Sequence, residues 1–283
     1  MKKKNLLSIH AKSFDWAGFF LPRKTYIECS FLYDFCRTLD DIADSNLDLI
    51  SKKKNFLYFK KNFEDKNFNN KIIKNFHELI KNKNISIKVI NDLFDGVESD
   101  IRERVNIQSE KELLVYSYKV AGTVGLMMSK IFGVNDRNSL KGAIDLGIAM
   151  QLTNIARDVV EDKISNRFYI KHDLSEIKKI IKIAETFYDS SFPAIKFLPY
   201  RYRFSILVAR RIYREIGNNI NKKKTIQEYD KSGKIYVSMV GKIAQTIFSV
   251  YDLIKLYFFN YDKHAKKKEH LLINEEINLD ERI

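Results

Sequence analysis

Residues 151–162 read QLTNIARDVVED, and the spacing within this stretch decides what kind of chain this is. Its apolar residues recur at helical spacing with no Pro or Gly between them, which predicts a helix. Its polar residues are ordered too. Gln151, Asn154, Asp158 and Asp162 step by 3, 4 and 4, so they form one stripe along that helix, with Glu161 at its edge. Packing alone would put Leu or Ile there.

A second stretch repeats the theme. RTLDDIAD (37–44) sets Asp40 and Asp44 four apart on one helical face, with Asp41 turned about 100° away. Like charges at that spacing cost an isolated helix a few tenths of a kcal/mol, and Arg37 can neutralise only one of them. A divalent cation would bridge both. Carboxylate and amide oxygens on rigid helices suit Mg²⁺, and the lack of a His or Cys cluster argues against zinc. An ordinary solvated helix face would account for either acidic group alone. Two such groups, each in an apolar setting, point to a metal site.

The chain has 283 residues, enough for one large domain or at most two. With 45% hydrophobic residues but only 10 Gly and 3 Pro, the expected fold class is all-α. The net charge of +14 suits an anionic partner: nucleic acid, a membrane surface or a phosphorylated substrate. Scattered lysines, with no arginine block or zinc-finger pattern, set nucleic acid aside. Cys29 and Cys36 would lie roughly 10 Å apart along a helix, too far for a disulfide, and read as buried thiols of a reducing compartment. The basic start, MKKKNLLSIHAKSF, is not a convincing signal peptide. The most apolar stretch, 243–259, carries Gln245, Asp252 and Lys255 and reads as a core or interfacial helix rather than a membrane span.

Helical periods run over 22–44, 71–80, 85–104, 109–132, 139–163 (with Ser139 as N-cap), 173–190, 200–220 and 234–260. The Asn- and Lys-rich segments 45–70 and 81–84 read as connections, and the charged tail from about 261 to 283 as frayed. No repeat and no linker divides the chain, so 1–283 is expected to be a single helical domain.

AGTVGLMM (121–128) followed by DLGIAMQLTNIARDVVEDKISNRFY (145–169) resembles the squalene and phytoene synthase family, in its phytoene synthase branch. RTLDDIAD matches that family's first aspartate-rich motif; SFDWAGFFLP (13–22), LYDFCR (32–37), DGVESD (95–100) and IYREIGNNI (212–220) fit its less specific blocks in the right order. The resemblance spans about His10 to Tyr213.

It implies a single-domain isoprenoid synthase fold, a trans-isoprenyl diphosphate synthase domain with a central cavity between two aspartate-bearing helices. The implied activity is phytoene synthase: head-to-head condensation of two geranylgeranyl diphosphates through a cyclopropylcarbinyl diphosphate, with Mg²⁺ or Mn²⁺ and no NADPH. On matching positions it implies Asp40, Asp44, Asn154, Asp158, Glu161 and Asp162 as metal ligands. Ser13, Tyr33, Arg37, Gln151, Asn154, Arg157, Arg167 and Tyr213 would contact substrate, and Tyr116 and Tyr169 would steer later steps beside the four aspartates. His10 falls in the same N-terminal block and reads as structural.

From the residues themselves, Ala121, Gly122 and Gly125 remove bulk at helical spacing, so that a ligand or a neighbouring helix can approach the backbone. Met127, Met128 and Met150 read as core fillers. One departure concerns the arginine-rich patch the family carries beyond Tyr213: here 227–238 read QEYDKSGKIYVS, with Lys231 and Lys234 as the available cations, neither offering the bidentate fork of Arg. Squalene, hydroxysqualene or dehydrosqualene synthesis from farnesyl diphosphate is the alternative within the class. A non-catalytic scaffold would have lost motif aspartates. A membrane-surface module would leave both acidic faces unexplained. Cytoplasmic placement with peripheral membrane contact fits oily substrates; the sequence does not set the oligomeric state.

Overall fold

The computed structural model describes residues 16–258, 264 and 267–283. After a helical turn at 16–18 come helix α1 (Arg23–Asp44), α2 (Leu49–Glu64), α3 (Lys71–Lys83) and α4 (Ile87–Ser99). A two-residue strand, β1 (Val105–Asn106), leads to α5 (Glu110–Ser117), which continues through a wider π-helical turn (Tyr118–Gly122) into α6 (Thr123–Ile131). Then come α7 (Arg137–Arg157), α8 (Val159–Ile164), β2 (Arg167–Phe168), α9 (Leu174–Ser191) and α10 (Tyr200–Asn221). Short α11 (Ile226–Lys231), long α12 (Met239–Phe258) and α13 (Lys268–Asn274) complete the order. The all-α expectation holds, with β1 and β2 as a minimal parallel pair among the described residues.

Helix α7 is central: it packs on α6, the π turn, α9 and α10, while α1 packs on α2, α3, α4 and α6. The approach of α6 to α7 answers the question raised by the small residues at 121–125. A Cβ on Gly125 would lie 2.2 Å from the carbonyl oxygen of Ala143, and one on Gly147 would lie 2.2 Å from that of Ala121. The two backbones touch, and only glycine permits it.

Three readings of the sequence need correction. The Lys-rich segment 45–70 is not a connection; most of it is α2, capped by Asp48 and burying Phe56, Phe59 and Phe63 against Phe35 and Phe94. Spacings of 3 and 4 among those phenylalanines carry the helix, and the lysines are its solvated side. The helix expected over 139–163 starts at Arg137 on an Asp136 cap and breaks at Asp158, whose φ of −105° leaves the helical region. The Tyr229 hydroxyl lies 2.9 Å from the carbonyl oxygens of both Ala156 and Arg157, taking up acceptors that the break leaves without helical partners.

The tail is not frayed over its described part. Ile273, Ile277 and Leu279 are buried, and Arg282 reaches Asp92 on α4 with bonds of 2.9 and 3.1 Å. His264 and His270 meet buried Asp145 of α7 at 2.6 and 3.0 Å, with the Ser190 hydroxyl donating to the same carboxylate. Burial opposes ionisation there, yet these hydrogen bonds hold the carboxyl below its usual range. The alternating charges that suggested a loose end instead tie α4 and α7 together.

The glycine contacts give a direct test. Gly147→Ala is expected to cost about 1–3 kcal/mol by overpacking the crossing, read as a fall of several degrees in melting temperature. An unchanged melting temperature would mean the crossing is not tight.

Candidate functional site

Between α1, α6, α7 and α10 lies an elongated cavity of about 270 Å³. Asp40, Gln151 and Asn154 line one end and Leu21, Phe132, Ser139 and Leu198 the other. Fourteen or fifteen helical residues separate the two ends along α1 and α7, so the cavity is on the order of 20 Å long. Between those ends the walls are small or apolar: Cys29, Ala121, Gly125, Ala143, Gly147 and Ala209. Burial pushes the Cys29 thiol up to about 12, and both cysteines are unpaired, so they act as apolar wall.

The acids gather at one end. Asp40 lines the cavity and is accessible from it, yet the protein packed around it penalises its charged form, and this desolvation, with Asp44 adding, pushes its carboxyl up to about 7. Asp162 is likewise pushed up to about 7, by burial first and then by Asp158. Their neighbours carry cations already: Arg157 holds Asp158 through two bonds of 2.6 Å, Lys234 stands 3.2 Å from the same carboxylate, and Arg167 meets Asp44 at 2.6 Å. Arg37 pairs with Asp41 at 2.6 Å, leaving its Nε buried without a partner. The side-chain amide oxygen of Asn154, Oδ1, is also buried and unpartnered. An orphaned amide oxygen on the same stripe as carboxylates that resist ionisation fits a hard divalent cation.

Asp100 joins the two acidic groups, since its charge is felt by both Asp40 and Asp162. It accepts from the Tyr116 hydroxyl at 2.8 Å and from the Tyr169 hydroxyl at 2.6 Å, and the two rings stack with centroids 4.9 Å apart. Burial and then Asp100 push both phenols well above the ordinary tyrosine range, so they stay protonated. The β1–β2 pair makes this possible. By bonding Val105 to Asn166 and Ile107 to Phe168, it pins the loop that carries Arg167 and Tyr169 beside Asp100.

Residues 7–176 match the squalene/phytoene synthase family. The chain belongs to that family. Members are prenyltransferases that join prenyl diphosphates head to head and typically use divalent metal ions, and this chain is an enzyme of that class. It is 31% identical over 244 residues to the 15-cis-phytoene synthase of Pantoea ananas, covering 75% of this chain and 79% of that protein. The same-named protein of Enterobacter agglomerans is 29% identical over 76% of this chain and 83% of its own length. A dehydrosqualene synthase solved with a ligand superposes with a TM-score of 0.75 at 26% identity, covering 88% of this chain and 94% of that one.

Of the expected site residues, Asp40, Tyr33, Gln151, Asn154 and Tyr213 line the cavity, and Arg37, Asp44, Arg157, Asp158, Asp162 and Arg167 are linked around its acidic end. Tyr116 and Tyr169 meet through Asp100. Glu161 lies in α8, beyond the break. Ser13 and His10 fall outside the described residues. Two contributors went unassigned in the sequence: Asp100, quoted within DGVESD, and Tyr229, within QEYDKSGK. Of the two candidate lysines, Lys234 is the one at the acidic end.

The motif acids do not converge tightly here. Among the described residues, only Asp145, His264 and His270 place three such ligand atoms within 4.8 Å of one another. That trio is not built for a metal: His270 Nδ1 accepts the Lys267 N–H at 2.8 Å, so its Nε2 carries the proton given to Asp145.

The raised carboxyls have a consequence for stability. Folded Asp40 and Asp162 hold protons up to about pH 7 that the unfolded chain releases near pH 4. Between those values unfolding releases protons, so stability falls as pH rises through the window. Without divalent cations the melting temperature is expected to drop between about pH 4 and pH 7 and to level off above that. Mg²⁺ at pH 8 should raise it again, and Asp162→Asn should flatten the profile. A melting temperature indifferent to both pH and Mg²⁺ would contradict the enclosed acidic site.

Proposed function

We propose that this chain is a phytoene synthase, joining two geranylgeranyl diphosphates into phytoene with release of both diphosphates. The observation that carries the reading is an elongated apolar cavity with enclosed carboxylates at one end, in a chain 31% identical to a 15-cis-phytoene synthase. A divalent ion, Mg²⁺ or Mn²⁺, held by Asp40, Asp44, Asn154, Asp158, Glu161 and Asp162, would supply positive charge against the leaving diphosphates. Arg37, Arg157, Arg167 and Lys234 add fixed positive charge at the same end, where anionic oxygens need it.

The chemistry follows from that polarity. One diphosphate departs with the electron pair of its C–O bond, leaving an allylic cation. The double bond of the second prenyl chain attacks it, and loss of a proton closes the cyclopropylcarbinyl diphosphate. Departure of the second diphosphate, rearrangement and a second proton loss give the hydrocarbon, with no reductant. Water would quench each cation, and the Ala, Gly, Cys and Met wall keeps it away. Tyr33 and Tyr213 line the same cavity, and an aromatic ring facing a cation there would contribute about 0.5–2 kcal/mol of cation–π attraction. Tyr116 and Tyr169 remain protonated and so are not bases; their hydroxyls fix Asp100. Cytoplasmic placement with a peripheral membrane contact belongs to the same reading, and among the described residues no helix is long and apolar enough to cross a membrane.

Product analysis tests this directly. Geranylgeranyl diphosphate with Mg²⁺ and no NADPH should give a C40 hydrocarbon, and farnesyl diphosphate little or none. A C30 product from farnesyl diphosphate would keep the mechanism and overturn the substrate. Asp40→Asn and Asp158→Asn should each lower turnover about a hundredfold or more while leaving helicity intact. Asp100→Asn should lower it without abolishing Mg²⁺-dependent stabilisation. Full activity in both motif variants would remove the metal assignment.

A further inference from the structure

Helix α12 is built inside out. Its exposed residues are Met239, Val240, Ile243, Ile247, Phe248, Val250, Tyr251, Ile254, Tyr257 and Phe258, every one apolar or aromatic. Several are largely bare: Val240 is 77% exposed, Ile247 65% and Phe258 82%. The polar residues point into the protein. Arg211 of α10 grips Asp252 at 2.6 and 2.7 Å, Gln245 donates to Glu215 at 3.2 Å, and the Trp16 indole donates to Thr246 at 3.0 Å. At 100° per residue, all the exposed positions except Phe248 fall within an arc of about 120°. Lys242 lies beyond one edge of that arc and Lys255 beyond the other.

We infer that α12 lies flat on an anionic lipid surface, its outer arc immersed at the headgroup–acyl boundary. A soluble helix places its apolar stripe against the core; this one places it outward over its whole length, which water does not reward. An exposed apolar arc bordered by lysines is the pattern of an interfacial helix; here the Lys255 ammonium lies 5.7 Å from the Phe192 ring centroid, at the border between arc and protein. Charge selects lipid over a second copy of the chain. Two bodies of net charge +14 repel, whereas anionic headgroups attract each. The placement also serves the proposed reaction, and to that extent rests on it. Trp16 and the Pro193–Phe197 turn both touch α12, and Ala17, Leu21, Ala194 and Ile195 beside them line the apolar end of the cavity. The oily chains would then enter and leave at the lipid-facing end while the diphosphates stay at the acidic end.

The chain's single Trp, Trp16, is bonded to α12 and serves as the reporter. The full-length protein, without substrate, is mixed with vesicles of phosphatidylcholine alone or with an equal share of phosphatidylglycerol. Expected results are sedimentation with the anionic vesicles, weakening with salt, and quenching of Trp16 by brominated lipid. The double substitution Ile247→Glu and Ile254→Glu should cut vesicle partitioning about tenfold or more. It should leave the melting temperature and the turnover of detergent-dispersed substrate unchanged. Partitioning unaffected by the double variant would overturn the proposal. So would a parent that ignores vesicles but forms a dimer that the variant dissolves. Binding without any prenyl transfer would uphold the docking and sink only the enzymatic reading.

Discussion

Carboxylates gathered at one end of a cavity, each partly screened from bulk water by the protein around it, repel one another, and the molecule is arranged around that repulsion. Asp40 and Asp162 respond by holding protons near neutral pH; Asp44 and Asp158 respond by taking Arg167, Arg157 and Lys234 as partners. Both responses are provisional, since a divalent ion and a polyanionic substrate would each satisfy the same groups better. A packed core of similar size would never tolerate the arrangement unless a ligand made up the deficit. The unpartnered oxygen of Asn154 and the unpartnered Nε of Arg37 show the same unmet demand for a partner of each sign.

Keeping those groups in place is the task of the scaffold. The β1–β2 pair fixes the Arg167–Tyr169 loop, Tyr229 takes the carbonyls left where α7 breaks, and the tail ties α4 to α7 behind the cavity. None of these contacts lies on the cavity wall, yet each sets the position of a residue that does or of one at the acidic end. The division of labour is sharp: apolar burial builds the bundle, and polar contacts between distant segments align its acidic end.

Much of this was legible in the amino-acid sequence because it depends on spacing. Steps of 3 and 4 put Asp40 with Asp44 and Gln151 with Asn154, and small residues at 121–125 marked a close approach before the partner helix was known. What stayed hidden depends on distant pairing. Asp100 is one more acid in an acidic block until Tyr116 and Tyr169 reach it from elements 16 and 69 residues away. Composition also misled: the lysines of α2 concealed its three buried phenylalanines, and the charges of the tail concealed a histidine pair gripping a buried carboxylate. The inverted polarity of α12 was invisible for the opposite reason, since an apolar stripe looks the same whether it faces core or lipid.

The crossing of α6 and α7 sets a direction on how this cavity can evolve. On that side the wall is Ala121, Gly125, Ala143 and Gly147, residues already at or near minimum size, with main chain directly behind two of them. Substitution at Gly125 or Gly147 can only add bulk, so at those two positions the wall can narrow the space and never enlarge it. Room for longer chains must come from the larger lining residues, among them Met128 of α6, Leu146 and Met150 of α7, Tyr26 of α1, and Ile206 and Tyr213 of α10. The crossing is therefore a fixed point of the cavity's shape: change there runs in one direction only, while the bulkier residues around it can vary in both.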